Sequence, residues 1–271
     1  MAEYDYIIRK NITNQFTFKD NSRVLIAGPV KVTEKAVLKG RNITFEIAAG
    51  VNEDSEINRN YLFFASGSTA VMAGQTRIYG DGNSNSNGAV FFAGNNGNIS
   101  YEGIPTLSSN VNDPSPYFTF ESLEMYNLGS LENDLNGITL LGLKFGQFNA
   151  KSLTVGNSGD DVLELFGSNV EVENLNTLGG GDDNIDLDDL SNLVIIKSLN
   201  LIQVGNNSIE LSNKSAVVIA KGCVVTLACN KAKEGNEVIV VGDENLQKVN
   251  TGTTPTSFVV QQLSKLLSND C

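Results

Sequence analysis

From residue 159 onward, apolar and polar positions alternate in short runs that return at a nearly constant interval. Gly159-Asp-Asp-Val-Leu-Glu-Leu165 recurs as Gly181-Asp-Asp-Asn-Ile-Asp-Leu187 and as Gly205-Asn-Asn-Ser-Ile-Glu-Leu211, at spacings of 22 and 24 residues. Each is followed by a second strand-like piece (Val170–Val172, Leu193–Ile195, Val217–Ile219) and a third (Leu175, Leu199–Leu201, Val224–Leu227). Strand side chains alternate between faces, so Leu163 and Leu165 point one way and Glu164 the other. The same holds for Ile185, Asp186 and Leu187 and for Ile209, Glu210 and Leu211. One coil alone cannot bury such a face. Coils stacked ~4.8 Å apart place its aliphatic residues in continuous interior ladders. The pattern predicts an all-β chain folded as a right-handed parallel β-helix, a β-solenoid of about ten coils of roughly 22–28 residues.

The first half repeats more loosely. Tyr61–Ala65, Ala89–Ala93 and Tyr117–Phe120 follow one another at 28-residue spacing, with polar inserts such as Asp81–Gly88 between them. These read as wider coils whose loops project from one corner. Earlier runs (Tyr6–Ile8, Phe16–Phe18, Val24–Ala27, Val30–Val32, Ile43–Ile47) read as strands that start or cap the stack. The expected organisation is one β-helix domain over residues 1–255, its first 50 residues capping or irregular, and a helix with tail over 256–271. In that tail Ser257 suits an amino-terminal cap, and Val259, Leu263, Leu266 and Leu267 form an apolar stripe. The stripe is expected to cover the open end of the last coil, where unpaired backbone would otherwise be exposed.

Charge narrows the chemistry. The net charge is −12 and there is no histidine, so the commonest general base and transition-metal ligand is missing. Nucleic acid is an unsuitable partner for such an acidic chain. Residues 152–196 carry ten carboxylates and no lysine or arginine, whereas all five arginines (Arg9, Arg23, Arg41, Arg59, Arg77) precede residue 81. Cys223 and Cys229 read as free thiols in an apolar run, and Cys271 as an exposed one. Met1-Ala-Glu-Tyr-Asp-Tyr lacks the basic and apolar regions of a secretory signal. No run approaches the ~20 apolar residues of a membrane span. The expectation is cytoplasmic synthesis, with a virion or signal-independent surface destination and no membrane insertion.

Stacking the repeats aligns Asp160 with Asp182, Asp161 with Asp183, and Glu164 with Asp186 and Glu210. Two readings stand: a solvated acidic face with Gly-Asp-Asp turns, or calcium held by Asp160, Asp161, Asp182 and Asp183, since hard cations take clustered carboxylates. Gly179–Leu187 looks like the nonapeptide of calcium-binding RTX repeats, but Asp182 replaces a glycine and the period is wrong. No other cofactor is called for.

Folded this way, residues 20–250 resemble the pectate-lyase-like superfamily, with its polysaccharide lyases, polygalacturonases and viral tailspikes. The resemblance is one of architecture, without a diagnostic motif. Lyases of that class imply an arginine or lysine base beside carboxylate-bound calcium, yet here the arginines and the acidic ladders fall in different halves. Polygalacturonases imply a histidine, which is missing. A carboxylate pair can hydrolyse glycosides without one. Asp161 with Asp183, or Glu164 with Asp186, has the spacing, as does every stacked pair.

Outward positions turn apolar late in the stack. Glu171 aligns with Val194 and Val218, and Glu173 with Ile196. This is either a contact surface for a homo-oligomer, for instance a trimer, or a face covered by the carboxy-terminal helix. Sequons at Asn11, Asn42 and Asn98 carry little weight without a signal. Tyr101 and Tyr117 are candidates for stacking on sugars or for the core. The reading that follows is a non-catalytic structural or adhesive rod, such as a viral or phage fibre component, with a glycan or cell-surface partner. The alternative is a carbohydrate-active β-helix.

Overall fold

The computed structural model describes residues 3–48, 60–81, 88–101, 104–130, 135–202, 209–212, 214–220, 222–228 and 238–241. The helix expected over 256–267 and residues 82–87 and 203–208 lie outside them. The described chain is all-β. Its opening strands are β1 (Tyr6–Ile8), β2 (Phe16–Thr17), β3 (Arg23–Ile26), β4 (Pro29–Val32), β5 (Val37–Arg41) and β6 (Thr44–Ile47). Next come β7 (Tyr61–Phe64), β8 (Thr69–Tyr79), β9 (Ala89–Ala93), β10 (Ile99–Tyr101), β11 (Ile104–Ser109), β12 (Tyr117–Tyr126), β13 (Ile138–Leu141) and β14 (Phe148–Gly156). The last group is β15 (Leu163–Phe166), β16 (Asn169–Leu178), β17 (Ile185–Asp188), β18 (Asn192–Ile202), β19 (Glu210–Leu211), β20 (Ala216–Ala220), β21 (Val224–Ala228) and β22 (Val238–Val241).

The chain passes back and forth between two parallel sheets. One has 13 strands and runs β1-β3-β6-β8-β12-β14-β16-β18-β20-β22, with β2, β5 and β21 beside this path. The other has seven, in the order β4-β7-β9-β13-β15-β17-β19. Long parallel sheets fed alternately in this way are consistent with a β-solenoid. The aliphatic ladders are present. Leu163 faces Ile185 and Leu165 faces Leu187, which faces Leu211 in turn. Ile209 belongs to the same buried core as Leu163 and Ile185. The second and third strands expected in each coil are fused into one long strand in β16 and in β18, whereas β20 and β21 stay separate and both pair with β18. In β16 and β18 the register slips between Val172 and Asn174, and this bulge makes the corner where the strand bends.

Of the two readings of the opening strands, the register supports the one in which they start the stack. Val24 stacks between Tyr6 and Phe45, and Leu38 between Phe16 and Ala70, in the same parallel register as the later coils. The 28-residue repeat is correct once only. Tyr61 pairs with Ala89, but Tyr117 lies opposite Thr69 in the other sheet. The strand that follows β9 in its own sheet is β13, with Phe91 facing Thr139. The intervening chain contains an antiparallel hairpin, β10–β11, that lies over the outside of the seven-stranded sheet. Ala89–Ala93 is buried at every position because it has the core on one side and this hairpin on the other. Tyr117–Tyr126 alternates because only one side of it is covered. The hairpin sits close: Gly142 has φ +53, and a Cβ there would meet Ser109 Oγ at 2.2 Å.

Polar ladders join the coils where the aliphatic ones stop. The Leu143 N–H donates to Ser168 Oγ (3.1 Å), the Ser168 N–H to Ser191 Oγ (3.0 Å) and the Ser191 N–H to Ser215 Oγ (3.0 Å). Ser168 and Ser191 are fully buried, so each hydroxyl satisfies a backbone donor that water cannot reach. At other corners asparagines hold left-handed backbone. Asn42 donates to Asn21 (3.1 Å) and Asn157 to Asn127 (3.4 Å), and all four have positive φ. Ser191→Ala strands the Ser168 N–H. It is expected to lower folding stability by about 1–3 kcal/mol, read as a lower denaturation midpoint at unchanged slope. An unmoved midpoint would show that this ladder contributes nothing.

Candidate functional site

The outer column of the seven-stranded sheet changes chemistry along the stack. Its successive members are Lys31, Phe63, Phe91, Thr139, Glu164, Asp186 and Glu210, each beside the next in parallel register. The Lys31 ammonium lies over the Phe63 ring at 5.2 Å. Phe91 packs edge-on against Tyr101 of the hairpin, with ring centroids 5.1 Å apart. Beyond Thr139 the column is acidic.

Glu164 is the first carboxylate and is almost wholly enclosed, at 3% exposure. Asn136 Nδ2 donates to Glu164 Oε2 (2.5 Å) and to the Tyr101 hydroxyl (3.2 Å), and Thr139 Oγ1 donates to the same carboxylate oxygen (3.2 Å). Asn136 Oδ1 accepts the Asp161 N–H (3.1 Å). One buried amide therefore ties the hairpin to the first two acidic positions. Nothing in the repeat marks Asn136, because it lies in a turn that the coil pattern does not constrain. Tyr101 is a core residue with 1% exposure, whereas Tyr117 is half-exposed.

The expected pairs meet. The Asp183 N–H donates to Asp161 Oδ1 (2.8 Å), and Glu164, Asp186 and Glu210 stack in order. Asp160 and Asp183 are buried, while Asp161, Asp182 and Asp186 stay partly exposed. Burial first, and then the charges of Asp160, Asp182 and Glu210, push the Asp161 carboxyl up to about 7, against the lowering effect of the Asp183 N–H. Burial first, and then Asp161, Asp188, Glu210 and Asp183, push Asp186 up to about 8. Asp188 is raised too, chiefly by burial. It lies two residues after Asp186 on β17, and the alternation of that strand was the signal for it.

Two sets of carboxylate oxygens lie within 4.8 Å of one another: Asp160, Asp161 and Asp182, and Glu164, Asp186 and Asp188. Three oxygens at this spacing fit part of a calcium coordination shell, whose metal–oxygen distances are roughly 2.3–2.6 Å. Asp183, expected as a fourth ligand, is not in the first set. The second set was not anticipated as a metal site.

The outward residues expected to form an association patch are not exposed. Val194 and Val218 do align with Glu171, but they are 1% and 0% exposed. With Ala216 they form a small second core, against which Phe145 and Ile196 pack. The turn before β14 brings Phe145 onto this face. The bulge brings Lys197 to Glu173, and the two form an ion pair.

A different surface is open. A groove of about 480 Å³ crosses β8, β12, β14 and β16 on the outside of the 13-stranded sheet, lined among others by Val71, Thr119, Asn149, Lys151 and Glu171. Tyr117, two residues ahead of Thr119 on the same strand face, is 48% exposed, and Val71 is 37% exposed. Among the described residues no helix is long and apolar enough to cross a membrane. No family model, curated protein or solved structure matches the chain.

The raised carboxyls make stability depend on pH. The unfolded chain ionises near 3.8, whereas the folded chain keeps protons on Asp161 and Asp186 until about 7 and about 8. Stability from these groups is complete below 3.8 and is lost as pH rises through their folded values. The melting temperature is expected to fall between about pH 4 and about pH 8 and then to level off. Asp186→Asn should flatten that slope. Calcium should raise the melting temperature at pH 8.5, where both carboxyls are ionised, and scarcely at pH 5, where they hold their protons. Equal midpoints with calcium and with chelator at pH 8.5 would remove the ion from the account.

Proposed function

We propose that the chain is a right-handed parallel β-helix of about ten coils, closed at its carboxyl end by the helix over 256–267. It acts as a non-catalytic structural or adhesive rod that self-associates and presents a side face to a glycan or cell-surface partner. The observation that carries this reading is the burial of one carboxylate in each candidate pair, Asp161 with Asp183 and Glu164 with Asp186. Glu164 and Asp183 are buried, and Glu164 is held by Asn136 and Thr139. A group so enclosed has no room for a scissile bond beside it. The groove on the other sheet is the face offered to the partner. It crosses four successive strands and so runs along the stack, which suits an extended chain, and Tyr117 and Val71 supply exposed apolar contact beside its polar lining. A place in a viral or phage fibre suits a rod of this kind, by analogy of architecture alone.

A second reading is favoured by one observation. Asp161 and Asp186 are partly exposed, and each is raised to where a carboxylic acid keeps its proton near neutrality, as a general acid must. On this reading the chain is a carbohydrate-active β-helix working through Asp161, Asp183, Glu164 and Asp186.

Binding and turnover measured together on a panel of acidic and neutral glycans separate the two. The rod predicts retention of a glycan that Tyr117→Ala weakens by about tenfold, with no new reducing ends. Reducing-end release that Asp161→Asn and Asp186→Asn abolish would establish the second reading and sink the first.

A further inference from the structure

We propose that two copies of this chain join through the free edge of β1, as a two-fold, antiparallel strand pair centred on Ile7. This deepens the self-association in the proposed function and places it at the end of the stack.

β1 is the terminal strand of the 13-stranded sheet, and among the described residues no strand pairs its outer edge. The core beneath it is also open. Tyr6, Ile8, Ile12 and Phe16 pack on the core but stay only partly buried, and residues 6–16 alone line a concavity of about 530 Å³. Ile7 points outward and is 50% exposed. An uncovered edge beside an uncovered core end is a template for another strand.

The backbone has the right phase for it. The Ile8 carbonyl accepts the Ala27 N–H (2.8 Å) on the β3 side. Backbone groups alternate along a strand, so the Ile7 N–H and C=O point to the free edge. Two Ile7 residues facing each other across a two-fold axis exchange both hydrogen bonds.

The sequence around that centre is self-complementary. Glu3-Tyr4-Asp5-Tyr6-Ile7-Ile8-Arg9-Lys10 is acidic before Ile7 and basic after it. With Ile7 on the axis, Asp5 lies opposite Arg9 of the second copy, and the reverse pair repeats on the other side. Both residues alternate onto the outward face with Ile7. Tyr6 then meets Ile8 on the inward face, where the two open core ends close on each other. The Asp5 carboxylate accepts the Arg23 N–H through Oδ2 (2.9 Å) and the Asp5 N–H donates to the Arg23 carbonyl (2.9 Å), which ties Asp5 to β3. Opposite charges facing across an antiparallel pair stabilise it, and like charges oppose it. A symmetric contact of this kind closes at two copies and does not propagate.

Light scattering with size-exclusion chromatography, from about 1 to about 100 µM protein, tests the idea in the full chain. The expected result is a dimer whose dissociation midpoint moves at least tenfold upward in Arg9→Asp and in Ile7→Asp. The charge swap Asp5→Arg with Arg9→Asp on one chain restores it. Circular dichroism melts of each variant identify any loss of fold. Arg9 is exposed, so Arg9→Asp remains a valid probe even if Asp5→Arg fails to fold. A dimer that Arg9→Asp and Ile7→Asp leave intact overturns this interface while self-association stands. A monomer throughout the range overturns both.

Discussion

Parallel backbone pairing between successive coils is the constraint from which the other properties of this chain follow. Once Leu163 lies beside Ile185, every residue of that strand is fixed beside its counterpart at strand spacing, inward and outward alike. Inward positions gain by it, because equal aliphatic side chains stacked coil upon coil remove a continuous surface from water. Outward positions have no choice of neighbour. Glu164, Asp186 and Glu210 are held in a column by the same hydrogen bonds that stack the leucines. Their like charges therefore persist as a cost that only protons, hydrogen-bond donors or cations relieve. Asn136 and Thr139 supply the donors at Glu164, and retained protons supply the relief at Asp161 and Asp186.

The same constraint divides the surface of the rod. Along its sides each strand has a partner above and below, and the faces differ in what covers them: the hairpin over Phe63 and Phe91, Phe145 over Val194, open solvent over the groove at Val71 and Asn149. At the β1 end, among the described residues, no further strand pairs the sheet, and Tyr6, Ile8, Ile12 and Phe16 stay partly exposed. In the proposed reading, a partner is recognised at the open side face and copies associate at the end.

The second half of the fold was legible because its coils carry short turns and the same residue types at each level. Leu163, Ile185 and Ile209 mark one ladder, and Glu164, Asp186 and Glu210 the column behind it. The first half misled at Tyr117, whose aromatic run resembles Tyr61 and Ala89 in composition but not in period. A run buried on both sides, such as Ala89–Ala93, reads as continuous, whereas Tyr117–Phe120 alternates. The hairpin that accounts for the difference is antiparallel and inserted, so no repeat announces it. Asn136 and the ladder of Ser168, Ser191 and Ser215 were silent for a related reason. Turn residues act through single hydrogen bonds, and a spacing of polar residues does not show whether they face water or a buried N–H. Val194 and Val218 were placed correctly in register, and whether their face is open or covered could not be read, since Phe145, which packs on it, comes from a turn in an earlier coil.

The stacked register itself is open to direct measurement. Asn149 and Glu171 are partners on adjacent strands of the groove face, and both are accessible. Cysteines introduced at these two positions, with Cys223, Cys229 and Cys271 replaced by serine, lie at a separation that a disulfide spans. The account predicts rapid and complete oxidation of that pair. It predicts little oxidation when the second cysteine is placed at Glu173, two residues out of register. Equal cross-linking of both pairs, or of neither, would contradict the in-register stacking on which the acidic column, the side groove and the open edge all depend.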